Sequence, residues 1–121
     1  MLVKLHHLIF ILFTTGSSSG FGFRLVILAL ARGDRVIATA RSLDKLENLV
    51  SSCKPDVREN LRTVQLDVTE DEESIKDKVN KAAAIWGRID VLVNNAGWCK
   101  LTLIHYRILI IFFQVTACLA S

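Results

Sequence analysis

Three glycines point to the first chemistry open to this chain. Gly16, Gly20 and Gly22 fall in the stretch Thr15-Gly16-Ser17-Ser18-Ser19-Gly20-Phe21-Gly22, between an apolar run ending at Phe13 and another beginning at Phe23. A glycine has no Cβ, so a turn built from several of them lets backbone N–H groups come close to an anion. A helix that starts at the turn aims the positive end of its dipole at the same place. Strand, glycine turn and helix in succession make a cradle for a pyrophosphate.

A second group bears on which nucleotide such a cradle takes. About twenty residues past the glycines, a dinucleotide fold that binds NAD carries an acidic residue on the ribose 2′-hydroxyl. Here that place is held by Ala40 and Arg41. No carboxylate is there to repel a 2′-phosphate, and a guanidinium can grip one bidentately, so NADP is favoured over NAD. The alternative reading of Arg41 is an ordinary surface cation.

Other reactive side chains give weaker signals. Cys53, Cys99 and Cys118 are odd in number and contain no CxxC pair, which signals neither a disulfide framework nor a zinc site and fits a reducing, cytoplasmic setting. His6 and His7 are adjacent and His105 stands alone, so no metal site is expected. The net charge of +3 is spread along the chain rather than gathered in a stripe, which argues against nucleic acid as a partner.

The elements that must position these groups follow from pattern. With 121 residues, 51% of them hydrophobic, the chain is long enough for one buried core. Lys4 followed by Leu8 to Phe13 has the outline of a signal peptide, but the run is short and passes straight into the glycine turn. It reads instead as a buried parallel strand, Ile9 to Thr14. Phe21 to Arg32 reads as a helix that is apolar nearly all round, with Gly33 as its C-cap. Arg35 to Ala40 is a second strand, and the strand–helix–strand unit implies a parallel crossover.

Ser42 is placed to cap a helix over Leu43 to Val50, which Lys54-Pro55-Asp56 breaks. Thr63 to Val68 is the third strand. Thr69 and Glu72 form a capping box for a helix carrying Ile75, Val79, Ala82 and Trp86, stopped by Gly87. The acidic run Glu70 to Glu73 complements that helix's dipole. Ile89 to Asn94 is the fourth strand. Trp86 and Trp98 are expected to pack rather than to meet a ligand.

After Gly97 the alternation stops, dividing the chain into a nucleotide-binding segment, 1–97, and an apolar tail, 98–121. His105, Arg107 and Gln114 interrupt the tail, which keeps it short of a membrane helix. Its densest run, Ile108 to Phe113, is expected to lie as a strand beside strand four.

Taken together, Thr15 to Gly22, Ala40-Arg41, Leu66-Asp67-Val68, Trp86 to Val93 and Asn94-Asn95-Ala96-Gly97 resemble the N-terminal half of the short-chain dehydrogenase/reductase family, of the NADP-preferring type. The resemblance covers roughly residues 8 to 97. It implies a Rossmann-type α/β fold with an open parallel sheet of order 3-2-1-4. The cofactor contacts it implies are Thr15, Gly16, Ser18, Ser19, Gly20, Phe21 and Gly22 in the turn, Arg41 and Ser42 at the 2′-phosphate, Asp67 and Val68 at the adenine, and Asn94, Ala96 and Gly97 beside the ribose. Asp67 also has a plainer reading as a turn former, as has the Asn94-Asn95 pair.

The family's reaction is hydride transfer between a nicotinamide and a carbonyl or alcohol carbon. It uses a tyrosine with a lysine four residues on, a substrate-orienting serine and a relay asparagine. Tyr106 is the sole tyrosine and Ile110 stands where the lysine belongs; beyond Gly97 the only lysine is Lys100, the only serine is Ser121, and there is no asparagine. The expectation is therefore a cofactor-binding half truncated after strand four, with no catalytic residue of its own. A carbonyl or alcohol substrate is expected only for a longer form, and self-association through an exposed sheet edge is a further expectation. The two functional classes left open are an NADP-dependent oxidoreductase by descent and a non-catalytic NADP-binding module or unstable fragment.

Overall fold

The computed structural model describes residues 8–18, 20–94 and 109–112. Strand β1, Ile11–Thr14, is buried at every position. It is followed by helix α1, Gly20–Arg32, and strand β2, Arg35–Ala40. A 3-10 turn at Leu43–Leu46 leads into helix α2, Glu47–Ser52. A second 3-10 segment, Pro55–Asn60, precedes strand β3, Leu61–Gln65. Helix α3 is Glu72–Trp86, β4 is Val91–Asn94 and β5 is Leu109–Phe112.

The strands form one sheet of order β3-β2-β1-β4-β5 with every pairing parallel. The expected order of the first four strands is therefore the observed one. Beside β4 the tail supplies β5, with Val91 opposite Leu109 and Asn94 opposite Phe112. Ile108 and Phe113, the ends of the expected tail strand, lie outside the described residues.

Alternation along the strands explains why their sequences read as unbroken apolar runs. Ile11, Phe13, Ile37 and Leu92 face a core shared with Ile75, Val79 and Ala82 of α3. Leu12, Val36, Ala38, Ala40 and Val93 face the other way, onto Val26, Ala29 and Leu30 of α1 and Leu46 and Leu49 beyond β2. A parallel sheet covered on both faces needs apolar residues at successive positions.

Several boundaries differ from expectation, each for a local reason. Helix α1 buries only the stripe Gly22, Val26, Ala29 and Leu30, leaving Leu28 and Phe21 exposed, so its apolar circumference is not all covered among the described residues. It ends as expected at Gly33, whose N–H bonds to the Leu30 carbonyl at 3.0 Å while the Asp34 N–H reaches the Ala29 carbonyl at 3.0 Å, a Schellman closure. The helix expected over 43–50 is split because its first turn closes with tighter bonds, Lys45 N–H to the Ser42 carbonyl at 3.2 Å among them. Ser42 occupies the cap position but makes no side-chain cap bond.

Strand β3 lies earlier than expected. Leu66 and Val68 are buried, which carries the apolar alternation past the end of the ladder. The chain has already turned there, because Asp67 accepts from both the N–H and the hydroxyl of Thr69, at 2.9 and 2.7 Å. With Thr69 engaged, the cap of α3 is Asp71, whose carboxylate accepts from the Ser74 N–H at 2.7 Å. The expected Thr69–Glu72 capping box is thus replaced by a cap two residues on. Gly87 ends α3 at φ +86°.

Two aspartates clamp the start of β1. Buried Asp34 accepts from the Phe10 N–H at 3.1 Å, and Asp90 accepts from the Ile11 N–H at 2.8 Å. Each has an arginine beside it, Arg32 at 3.5 Å and Arg88 at 2.9 Å. At the same end of the sheet Trp86 lies against the guanidinium groups of Arg35 and Arg62, 5.7 and 5.1 Å from its ring centre, and shares the core with Ile75 and Val79. The packing role expected for Trp86 is what the structure shows, while Trp98 lies outside the described residues.

Candidate functional site

The carboxyl ends of the parallel strands bring the glycine turn, Arg41 and Asp67 to one end of the sheet. The turn leaves β1 at Thr14, which stands opposite Ala38 of β2 and Val93 of β4. Gly16 and Gly20 both take φ +62°, the left-handed region where glycine alone is free of strain. A Cβ on Gly20 would meet nothing within 4 Å, so the backbone angle and not space makes glycine necessary there. Gly22 is buried in the first turn of α1.

Four buried polar residues fix the base of the turn. The Thr15 N–H bonds to the Val93 carbonyl at 3.0 Å and the Ser17 N–H to the Thr39 carbonyl at 3.1 Å. Thr39 returns its hydroxyl to the Thr14 carbonyl at 2.9 Å, and the Thr14 and Ser17 hydroxyls share a hydrogen bond of 2.7 Å. The turn is thereby bolted to both neighbouring strands before any ligand arrives. Ser17 and Thr39 are absent from the residues nominated by motif, since their work is inward. The one sequence signal for Thr39 is a hydroxyl within the otherwise apolar buried run from Val36 to Ala40.

Ser18 is half-buried in the turn, and Phe21 is exposed on the first turn of α1. Arg41 is exposed directly after β2, and Ser42, half-buried, follows it. Asp67 is partly exposed and Val68 is buried. The Thr69 hydroxyl and N–H hold the Asp67 carboxyl below the usual carboxylate range, with smaller help from the Arg41 and Lys78 cations. Asn94 ends β4 by its backbone. Ser19, Ala96 and Gly97 lie outside the described residues.

Behind Arg41 stands a network that no motif announces. Gln65 donates to the Arg41 carbonyl at 3.0 Å and accepts from Lys78 at 2.6 Å. Lys78 also bonds to Glu70 at 2.8 Å, and Glu70 accepts from the Asp67 N–H at 2.8 Å and the Ser74 hydroxyl at 2.6 Å. Glu70, expected as dipole complement, instead ties the Asp67 turn to α3. The bonds from Lys78 first, and then Ser74, hold its carboxyl below the usual range.

The model of the short-chain dehydrogenase family matches residues 11–107. The chain belongs to that family. Among short-chain dehydrogenases and their relatives it is similar to Oxidoreductase BOA17 of Botryotinia fuckeliana, with 43% identity over 73% of this chain and 31% of that protein. It is similar also to the NADP-dependent 3-hydroxy acid dehydrogenase YdfG of Escherichia coli, with 37% identity over 72% of this chain and 33% of that one. The solved structure of ElxO with NADP bound is 35% identical and superposes with a TM-score of 0.63, over 79% of this chain and 37% of that chain. The chain thus spans about a third of the length of the curated relatives it matches.

Among the described residues no group of three or more His, Cys, Asp or Glu could hold a metal, and no helix is long and apolar enough to cross a membrane.

Proposed function

We propose that this chain binds NADP(H), with the pyrophosphate over the turn from Thr15 to Gly22 and the 2′-phosphate at Arg41 and Ser42. The observation that carries the reading is the exposed Arg41 immediately beyond β2, at the sheet end where Gly16 and Gly20 hold the turn open at φ +62°. Asp67 and Val68 would border the adenine from the end of β3, and Asn94, Ala96 and Gly97 the ribose from the end of β4. The residues present fit the group: backbone N–H groups and a helix start for the pyrophosphate, and a cation in place of a carboxylate for the 2′-phosphate. The NADP-dependence named for the YdfG relative and the NADP bound in ElxO support the same guest.

The bound nicotinamide would supply hydride transfer to or from a carbonyl or alcohol carbon, so the whole protein's function is read as that of an NADP-dependent oxidoreductase in the cytoplasm. What these residues contribute is the holding of the cofactor. A second reading, a cofactor-binding chain without turnover of its own, is favoured by Ile110: it stands four residues after Tyr106, where an acid–base pair needs a lysine, and it lies within β5 opposite Leu92. Replacing Arg41 by Ala removes the guanidinium and should weaken NADP(H) about 10- to 100-fold, the worth of a charge-assisted contact, with little change for NAD(H). Calorimetric titration of both nucleotides checks this, and equal losses for the two would sink the assignment.

A further inference from the structure

The cofactor reading uses Arg41 and Asp67 but leaves Gln65, Lys78 and Glu70 without a role. Gln65 ends β3 and sits opposite Ala40, so it stands directly beside the point where Arg41 leaves the sheet. Its amide is used at both ends, Nε2 to the Arg41 carbonyl at 3.0 Å and Oε1 to the Lys78 ammonium at 2.6 Å, which fixes its orientation. Lys78 is in turn held by Glu70, and the same Glu70 oxygen takes the Asp67 N–H. The Lys78 and Glu70 side chains are only 27% and 20% exposed, whereas the other lysine pairs on α3, Lys76–Glu72 and Lys81–Asp77, stand in open solvent. Sheltered pairs of this kind hold their geometry better than surface pairs do. The chain of bonds therefore links the main chain under Arg41 to the turn of Asp67, across β2, β3 and α3.

We propose that Gln65 and Lys78 are positioning residues for the 2′-phosphate end of the cofactor site, setting the main chain from which Arg41 reaches out against the turn that carries Asp67. An arginine stem is long and flexible, so the entropy lost on gripping a phosphate is smaller when its backbone is already fixed. The inference rests on the NADP reading above.

The test is calorimetric titration of the full 121-residue chain with NADP+ and NAD+. Gln65→Met keeps length and net charge but removes both amide bonds, and Lys78→Met removes the link to α3. Each should lower the ratio of NADP+ to NAD+ affinity about fivefold, the worth of one hydrogen bond. Lys76→Met, with the same charge change on the same helix, should leave the ratio unaltered. A network that serves stability alone would weaken both nucleotides equally, and that result overturns the inference while leaving the cofactor reading intact. Failure of both Gln65→Met and Lys78→Met to fold would make the network a fold determinant and also overturn it. Wild-type protein that takes up neither nucleotide would overturn the cofactor reading and the inference with it.

Discussion

Gly20 shows how a single residue serves the site through its backbone. Its φ is +62° and the space a Cβ would take is open, so Gly20→Ala introduces strain and no clash. The expected cost is about 1 kcal/mol of stability, from the penalty of a left-handed L-residue, read as a lowered urea midpoint. An unchanged midpoint would show that the turn relaxes freely and is not held at that angle. The glycines and Arg41 were legible in the sequence because their meaning lies in residue type and local spacing. Ser17 and Thr39 were not, because Thr39 finds its partner Thr14 across the sheet, 25 positions away in the chain. Gln65 was hidden for the same reason: nothing at positions 63 to 67 says that its amide will meet the carbonyl of Arg41.

At the scale of elements, the link from β3 to α3 departs most from the sequence reading. Buried Leu66 and Val68 prolong the strand pattern, while Asp67 ends the strand by capturing Thr69. Thr69 and Glu72 have the spacing of a capping box, yet an aspartate two residues on wins the cap because Thr69 is already bound. By contrast, β2 and the Gly87 end of α3 match expectation, since a short run carrying β-branched Val36, Ile37 and Thr39 and a left-handed glycine leave few alternatives. The link also carries a pH dependence. Asp67 and Glu70 are both held below their usual range, Asp67 chiefly by Thr69 and Glu70 chiefly by Lys78. A carboxyl whose folded pKa is depressed stabilises the fold in full above its unfolded value, about 4, and that contribution is lost as pH falls through the folded value. Urea midpoints should therefore hold level near neutrality and decline below about pH 4, and Asp67→Asn combined with Glu70→Gln should flatten that decline. An equally steep acid decline in the double variant would place the titrating groups elsewhere.

Over the whole molecule, the succession of strand, turn and helix made parallel crossovers legible, whereas the order 3-2-1-4 was legible only through the family resemblance, because right-handed crossovers are compatible with other strand orders as well. Strand β5 lies within the run Ile108 to Phe113 that was expected beside strand four, and its parallel seat against β4 puts paired backbone where a sheet ending at strand four would leave an open edge. The described edges are then β3 and β5, with both faces of the central strands covered. That architecture gathers the ends of β1, β2, β3 and β4 at one side, which is why a turn, an arginine and an aspartate far apart in sequence form one candidate cradle. On the proposed function, this cradle takes NADP(H). Titrating the purified 121-residue chain with NADP+ and with NAD+ tests it most directly. Saturable one-to-one binding of NADP+ is expected, at least about tenfold tighter than of NAD+, the worth of one phosphate–guanidinium contact. Equal affinity for the two nucleotides, or no uptake of either, would contradict it.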